Sequence, residues 1–100
     1  MNKDEFIKEV EKLGIEVPET KLNQLEKYYE LLIEYNKVMN LTGITEKDEV
    51  YLKHFYDSLT ISKIIDLNNE NSLCDLGSGA GFPGIVIKIF YPNLNIVLVD

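Results

Sequence analysis

The stretch that decides the fold is Asp75-Leu76-Gly77-Ser78-Gly79-Ala80-Gly81, in which glycine occupies alternate positions. The apolar run from Ser72 to Leu76 leads into these glycines, and such a run is typical of a buried strand. The residues that follow predict a helix from about Pro83 to Phe90, and the β-branched run at 96–99 predicts a second buried strand. This order predicts an α/β fold that starts a doubly wound parallel sheet with its first strand–helix–strand unit.

The glycine stretch has the properties of a ligand site. Glycines directly after a buried strand let the backbone turn sharply and approach a ligand without an intervening side chain. The helix that follows directs its N-terminal N–H groups toward the same place. Asp100 ends the second predicted strand, where an acid can accept hydrogen bonds from both hydroxyls of a ribose. The pattern therefore predicts a cofactor that carries adenosine.

Two such cofactors are considered, and the spacing favours S-adenosylmethionine over NAD. Gly79, Gly81 and Gly84 match the G-x-G-x-x-G pattern of dinucleotide-binding sites. However, this match begins too far after the predicted strand for an NAD site, and Pro83 lies inside it. An NAD site also has an apolar residue where this chain has Asp75. S-adenosylmethionine has no pyrophosphate, and a carboxylate such as Asp75 can order the loop or bind the ammonium group of the methionine. An NAD-binding oxidoreductase remains an alternative.

The first two-thirds of the chain has a helical pattern. Apolar spacing predicts helices at about 3–13, 19–38 and 46–65, the last opened by a capping box of Thr45 and Asp48 and broken near 57–58. The glutamates of the second helix, Glu26 among them, are predicted to form a solvated face. We expect a helical N-terminal extension at 1–66 and the start of a cofactor-binding domain at 72–100. Because one strand–helix–strand unit cannot cover both faces of a parallel sheet, we expect the N-terminal piece of a longer protein.

The composition excludes several classes of protein. Ten lysines and no arginine stand against 17 acidic residues, for a net charge of -7, so the chain by itself is a poor nucleic-acid binder. One cysteine excludes a disulfide scaffold, and no apolar run reaches the roughly 18 residues of a membrane span. The N-terminus has no signal-peptide pattern. We expect a cytoplasmic protein without membrane contact, and no metal because no His, Cys and carboxylate cluster has ligand spacing.

Three motifs occur in order along the chain: N-L-T-G-I at 40–44, K-H-F-Y-D-S-L at 53–59 and D-L-G-S-G-A-G-F-P-G-I at 75–85. Together they resemble the bacterial 16S rRNA guanine-N7 methyltransferase family, RsmG, also called glucose-inhibited division protein B (GidB). The resemblance implies a Rossmann-like class I methyltransferase with a helical N-terminal extension. It also implies that S-adenosylmethionine is used to methylate N7 of one guanine in the rRNA of the small ribosomal subunit.

The resemblance implies that the cofactor is contacted by Gly77, Phe82 and Asp100. With the loop acid and the other glycines, the predicted cofactor-binding residues are Asp75, Gly77, Gly79, Gly81, Phe82 and Asp100. The resemblance also implies that His54, Asp57 and Ser58 lie beside the cofactor pocket, and Asn40 and Thr42 are candidates to line its mouth. The alternatives are an interhelical hydrogen bond for His54 and a helix cap for Asn40 and Thr42. No catalytic base is predicted, because guanine N7 carries an exposed lone pair and the protein mainly has to align the reactants.

The chain departs from the family at Lys53, where the family commonly has arginine; lysine keeps the charge but not the bidentate fork. The rRNA-binding and guanine-pocket residues of the family lie in regions beyond residue 100. We therefore expect the 16S rRNA partner to be bound by those regions, and residues 1–100 alone to be inactive. A non-catalytic acidic helical interaction domain is the second alternative.

Overall fold

The computed structural model describes residues 1–40, 42–64, 67, 72–76 and 84–99, with the backbone alone for 72–76, 98 and 99. In chain order this described part forms α1 (Lys3–Lys12), α2 (Glu19–Met39), α3 (Lys47–Val50), a π-helix (Tyr51–Tyr56), α4 (Asp57–Leu59), a 3-10 helix (Thr60–Lys63), β1 (Ser72–Leu76), α5 (Gly84–Phe90) and β2 (Asn95–Val99). Within these ranges, no helix is both long enough and apolar enough to cross a lipid bilayer.

Helix α1 begins with a capping box. The side chain of Asn2 accepts a hydrogen bond from the N–H of Glu5 at 2.9 Å, and the N–H of Asn2 donates to Glu5 Oε1 at 3.2 Å. These two bonds satisfy backbone donors that a helix start leaves without partners. The helix ends before Gly14, whose φ of 84° is a left-handed conformation that glycine adopts without strain. The prediction of a helix at about 3–13 is confirmed to within one residue.

Helix α2 follows Pro18 and ends at Asn40, which has φ 51° and ψ 54°. The N–H of Asn40 donates to the carbonyl of Asn36 at 3.0 Å, which closes the last turn. Asparagine tolerates this left-handed conformation better than most side chains. Asn40 is therefore a helix C-cap, as the alternative interpretation of this residue proposed.

The predicted capping box of Thr45 and Asp48 is wrong, because Glu46 is the N-cap of α3. The longer carboxylate of Glu46 turns back and accepts from the N–H groups of Asp48 and Glu49, at 3.1 and 3.0 Å. The carbonyl of Thr45 instead accepts from the hydroxyl of Tyr29 at 2.7 Å. The predicted break at 57–58 is also wrong, because the chain stays helical there and changes from π to α hydrogen bonding.

Aromatic side chains join the helices into one core. Phe6 of α1 contacts Tyr51 edge-on at 5.2 Å between ring centroids, and Tyr51 contacts Phe55 at 5.0 Å. Phe55 also stacks on Tyr28 of α2 at 5.8 Å. The same buried cluster includes Phe90 of α5. The helical part of the chain and α5 therefore share one hydrophobic core.

Strands β1 and β2 pair in parallel with α5 between them in the chain. The register places Ser72 opposite Asn95 and Leu76 opposite Val99, so both strands end at the same edge. Helix α5 packs against both strands and against α2 and α4. The predicted order of strand, helix and strand agrees with these elements, and the helix begins at Gly84, one residue after the predicted start.

Candidate functional site

Most of the predicted cofactor residues lie outside the part of the chain that the structure describes. Those outside are Gly77, Gly79, Gly81, Phe82 and Asp100, while Asp75 lies in β1 with only its backbone described. The cofactor contacts of these six residues therefore stay predictions.

The described residues define the end of the sheet from which the glycine stretch leaves β1. Leu76 is the last residue of β1, and its register partner Val99 is the last residue of β2. On the other side of the glycine stretch, α5 starts at Gly84, which is buried. The crevice outside the carboxyl ends of parallel strands is where open α/β sheets bind their ligands. The arrangement is suited to a ligand that lies at the ends of both strands.

A second group of polar contacts lies where α2 ends, around Thr42. The N–H of Thr42 donates to Oδ1 of Asn36 at 2.7 Å, and the N–H of Ile44 donates to Oγ1 of Thr42 at 3.1 Å. Oγ1 of Thr42 also lies 3.0 Å from Nε2 of His54 in the π-helix. The turn at 42–44 is thus held from α2 on one side and from the π-helix on the other.

The electrostatics of His54 favour the neutral imidazole. Burial lowers the pKa of His54, and the negative charge of Asp57 offsets only part of this effect. Oγ1 of Thr42 accepts from Ile44, so its own hydrogen can be donated to an unprotonated Nε2 of His54. His54 therefore contacts the loop residue Thr42, which lies after the end of α2, so this bond is not the interhelical one proposed as the alternative.

Ser58 and Asp57 do not form a catalytic relay with His54. Ser58 is 5% exposed, and its hydroxyl donates to the backbone carbonyl of His54, four residues earlier, and not to the ring. Asp57 is exposed on the surface of α4. A serine nucleophile needs the imidazole ring as its base, so these three residues have no such arrangement. Whether they line a pocket stays a prediction.

Sequence reasoning missed Asn36 and misassigned Glu26. The only signal for Asn36 is an amide one turn before the C-cap of α2. Glu26 was predicted on a solvated face, but its carboxylate accepts from the hydroxyl of Tyr51 and lies 2.7 Å from Nζ of Lys47 and 3.5 Å from Nζ of Lys3. Burial raises the pKa of Glu26, but the bonds from Lys47 and Tyr51 and the two lysine charges outweigh it, so the pKa is lowered.

Two lysines line an open groove between α2 and α5, and both are already bound to backbone carbonyls. Lys21 donates to the carbonyl of Phe90 at 2.9 Å, and Lys88 donates to the carbonyls of Pro92 and Leu94 at 2.7 Å each. Cations at a helix C-terminus compensate its unpaired carbonyls and its dipole. Lys21 therefore stabilises the end of α5, and Lys88 stabilises the connection from α5 to β2. Among the residues that the structure describes, no cluster of His, Cys, Asp or Glu could hold a metal ion.

Comparison with known proteins gives a consistent result. The family model described as rRNA small subunit methyltransferase G (GidB) matches residues 21–100. Curated proteins named ribosomal RNA small subunit methyltransferase G are 53% identical in Bacillus licheniformis, 50% in Bacillus subtilis and 46% in an Exiguobacterium species, each over 100 residues. These matches cover the whole chain and 42% of each relative. The chain thus spans about two-fifths of the length of the curated relatives that it matches.

Proposed function

The chain belongs to the rRNA small subunit methyltransferase G family, and from this membership we propose that the full-length protein transfers the methyl group of S-adenosylmethionine to N7 of a guanine in 16S rRNA. The match across residues 21–100 carries the proposal, because it includes all three motifs, from N-L-T-G-I to the glycine stretch. Relatives named as rRNA methyltransferases at about half identity support it.

The arrangement of the strands supports S-adenosylmethionine as the cofactor. Gly77 follows Leu76 in the sequence and Asp100 follows Val99, and Leu76 and Val99 are register partners at the ends of the two strands. We propose that the cofactor contacts are made by Asp75, Gly77, Gly79, Gly81, Phe82 and Asp100. In this proposal, Asp100 accepts hydrogen bonds from the ribose hydroxyls, and the glycines leave room for the backbone to approach the ligand.

The proposed reaction requires little proton transfer by the protein. Bound S-adenosylmethionine supplies an electrophilic methyl group on a sulfonium. Guanine N7 attacks with a lone pair that needs no deprotonation, so the chain's own residues have to align the two reactants and exclude water. The absence of a Ser58–His54–Asp57 relay among the described side chains is consistent with such a reaction.

We propose the division of the chain as a helical extension at 1–66 and the start of a Rossmann-like cofactor domain at 72–100. The parallel pairing of β1 and β2 supports the second part. The two parts are not independent, because Val86 and Phe90 of α5 belong to the same buried cluster as Phe6 of α1. We expect the helical extension to stabilise the cofactor domain directly.

The proposed substrate is the 16S rRNA of the small ribosomal subunit, in the cytoplasm. The net charge of -7 and the lack of arginine indicate that phosphate contacts come from elsewhere in the full-length protein. The relatives are long enough to supply such regions, since the chain spans 42% of their length.

Methyl transfer by the purified full-length protein tests this proposal. Small ribosomal subunits that lack the modification are incubated with isotopically labelled S-adenosylmethionine, and the labelled nucleoside is identified by mass spectrometry after RNA digestion. We expect label in N7-methylguanosine of 16S rRNA. Label in another nucleoside would contradict the N7 assignment, and no label in any RNA would contradict the function.

A further inference from the structure

Thr42 connects the end of α2 to the π-helix. Its N–H is bonded to Asn36 in the last turns of α2, and its hydroxyl oxygen accepts from Ile44 and lies 3.0 Å from Nε2 of His54. Helix α2 ends sharply just before, at the left-handed Asn40. These hydrogen bonds therefore join Thr42 to α2 through Asn36 and to the π-helix through His54.

His54 is itself held firmly on its own element. Its backbone carbonyl accepts from the Ser58 hydroxyl and from the N–H of Asp57, where the π-helix passes into α4. Phe55, next to it, is fully buried in the aromatic core. π-helical turns are rare and are frequently found at functional sites. The imidazole is thus presented to Thr42 from a rigid support.

The support continues to α5. Helix α4 packs against α5, which begins at the buried Gly84 and packs in turn against both strands. A series of contacts therefore runs from the turn at 42–44 through His54, Ser58 and α4 to α5. Discrete hydrogen bonds and packed elements of this kind can fix the relative position of two parts of a site.

We propose that His54, acting through the Thr42 hydroxyl, is a positioning residue for methyl transfer. It fixes the turn at 42–44 relative to α4 and α5, so that this turn is correctly placed before the rRNA guanine binds. This inference rests on the proposed function. His54 does not exchange a proton with the substrate in this role, and its ring is replaceable by another group that offers an acceptor at the Nε2 position.

Paired substitutions in the full-length protein test the inference. Thr42→Val removes the hydroxyl and Thr42→Ser keeps it; His54→Phe removes the acceptor and His54→Gln places an amide oxygen near the position of Nε2. We expect Thr42→Val and His54→Phe each to lower the single-turnover rate of methyl transfer roughly 10- to 100-fold, the scale of a small misplacement of reactants. Binding of S-adenosylmethionine should change by no more than about threefold.

The combination of variants separates positioning from a general loss of structure. The double variant Thr42→Val/His54→Phe should be no slower than the slower single variant, because both remove the same contact. Thr42→Ser and His54→Gln should recover most of the rate. Thr20→Val, an exposed threonine in the first turn of α2, should leave the rate unchanged. Multiplied losses in the double variant, or no recovery in His54→Gln, would overturn the inference.

Amide hydrogen exchange distinguishes failure of this inference from failure of the proposed function. The N–H of Ile44 donates to Thr42 Oγ1, so it should exchange faster in Thr42→Val and His54→Phe than in the wild type, Thr42→Ser and His54→Gln. A wild type that methylates no rRNA refutes the function, whatever the exchange data show. An active wild type with unchanged rate or unchanged Ile44 exchange in His54→Phe refutes the positioning role.

Discussion

Replacing Glu26 by glutamine should destabilise the protein, because this carboxylate joins four elements. It lies in α2 and contacts Lys3 of α1 at 3.5 Å, Lys47 of α3 at 2.7 Å and the hydroxyl of Tyr51 in the π-helix. The side chain of Glu26 is 21% exposed. Its substitution therefore changes one cluster of contacts without opening a cavity in the apolar core.

The magnitude follows from the exposure of the partners. The side chains of Lys3 and Lys47 are 49% and 43% exposed, so water solvates both ammonium groups in the variant. The loss of the two ion pairs with Glu26 therefore costs about 0–1 kcal/mol. Tyr51 is 1% exposed, and a hydroxyl that loses a charged acceptor costs roughly 1.5–3 kcal/mol. The glutamine oxygen can still accept and recovers about 1 kcal/mol. We expect the free energy of unfolding to fall by about 2 kcal/mol.

The effect should also depend on pH. The pKa of Glu26 is lowered from its ordinary value of 4.5, so the folded state favours the ionised form. The stabilisation is therefore fully present above pH 4.5 and is lost as the pH falls through the lower folded-state pKa. The difference between wild type and Glu26→Gln should shrink over this acid range, since the variant has no carboxyl group to titrate.

Urea unfolding at a series of pH values measures both effects. The matched control is Glu30→Gln, which changes an exposed glutamate one turn further along α2 and should stay within about 0.5 kcal/mol of wild type. Equal stability of wild type and Glu26→Gln at neutral pH would refute the reasoning. So would a difference between them that does not change in acid.

Three further predictions concern the core, the end of α2 and the cofactor. Phe6→Ala should lower the free energy of unfolding by about 3–5 kcal/mol, because Phe6 is fully buried against Tyr51; a loss below about 1 kcal/mol in urea unfolding would contradict the core assignment. Asn40→Ala should destabilise by about 1 kcal/mol and Asn40→Gly should not, since φ is 51° there; calorimetric melting with equal losses would argue against a left-handed cap. Asp100→Ala should weaken S-adenosylmethionine binding by roughly 1–3 kcal/mol and leave methionine binding unchanged; equal losses for both ligands in a titration would show that Asp100 acts through the fold.

Local pattern was sufficient to predict α1, α2 and the order of strand, helix and strand. The apolar residues of α1 and α2 repeat with the period of an α-helix, and Gly14 stops α1. Strand β1 is a short apolar run that ends directly before Gly77, and β2 contains the largely β-branched apolar run at 96–99. In each case the physical cause lies within a few residues of its effect.

Contacts between distant segments could not be predicted in this way. Tyr51, Phe55 and Leu59 are spaced by four residues, as in an α-helix, so nothing in the spacing reveals the π-helix. The contact of Glu26 with Lys47 depends on how α2 and α3 pack, and interleaved lysines suggested a solvated face instead. For the site, the candidate role of His54 was evident, but its partner Thr42 was fixed only by the fold.

The central claim is that the stretch at 75–81 binds S-adenosylmethionine, and isothermal titration calorimetry on the full-length protein tests it most directly. S-adenosylmethionine and NADH are each titrated into wild type and Gly77→Val, with circular dichroism to confirm that both are folded. A β-branched side chain at this position would occupy the ligand's approach, so we expect wild type to bind S-adenosylmethionine, not NADH, and Gly77→Val to bind neither. Near-normal binding of S-adenosylmethionine by folded Gly77→Val, or binding of NADH alone by wild type, would contradict the account.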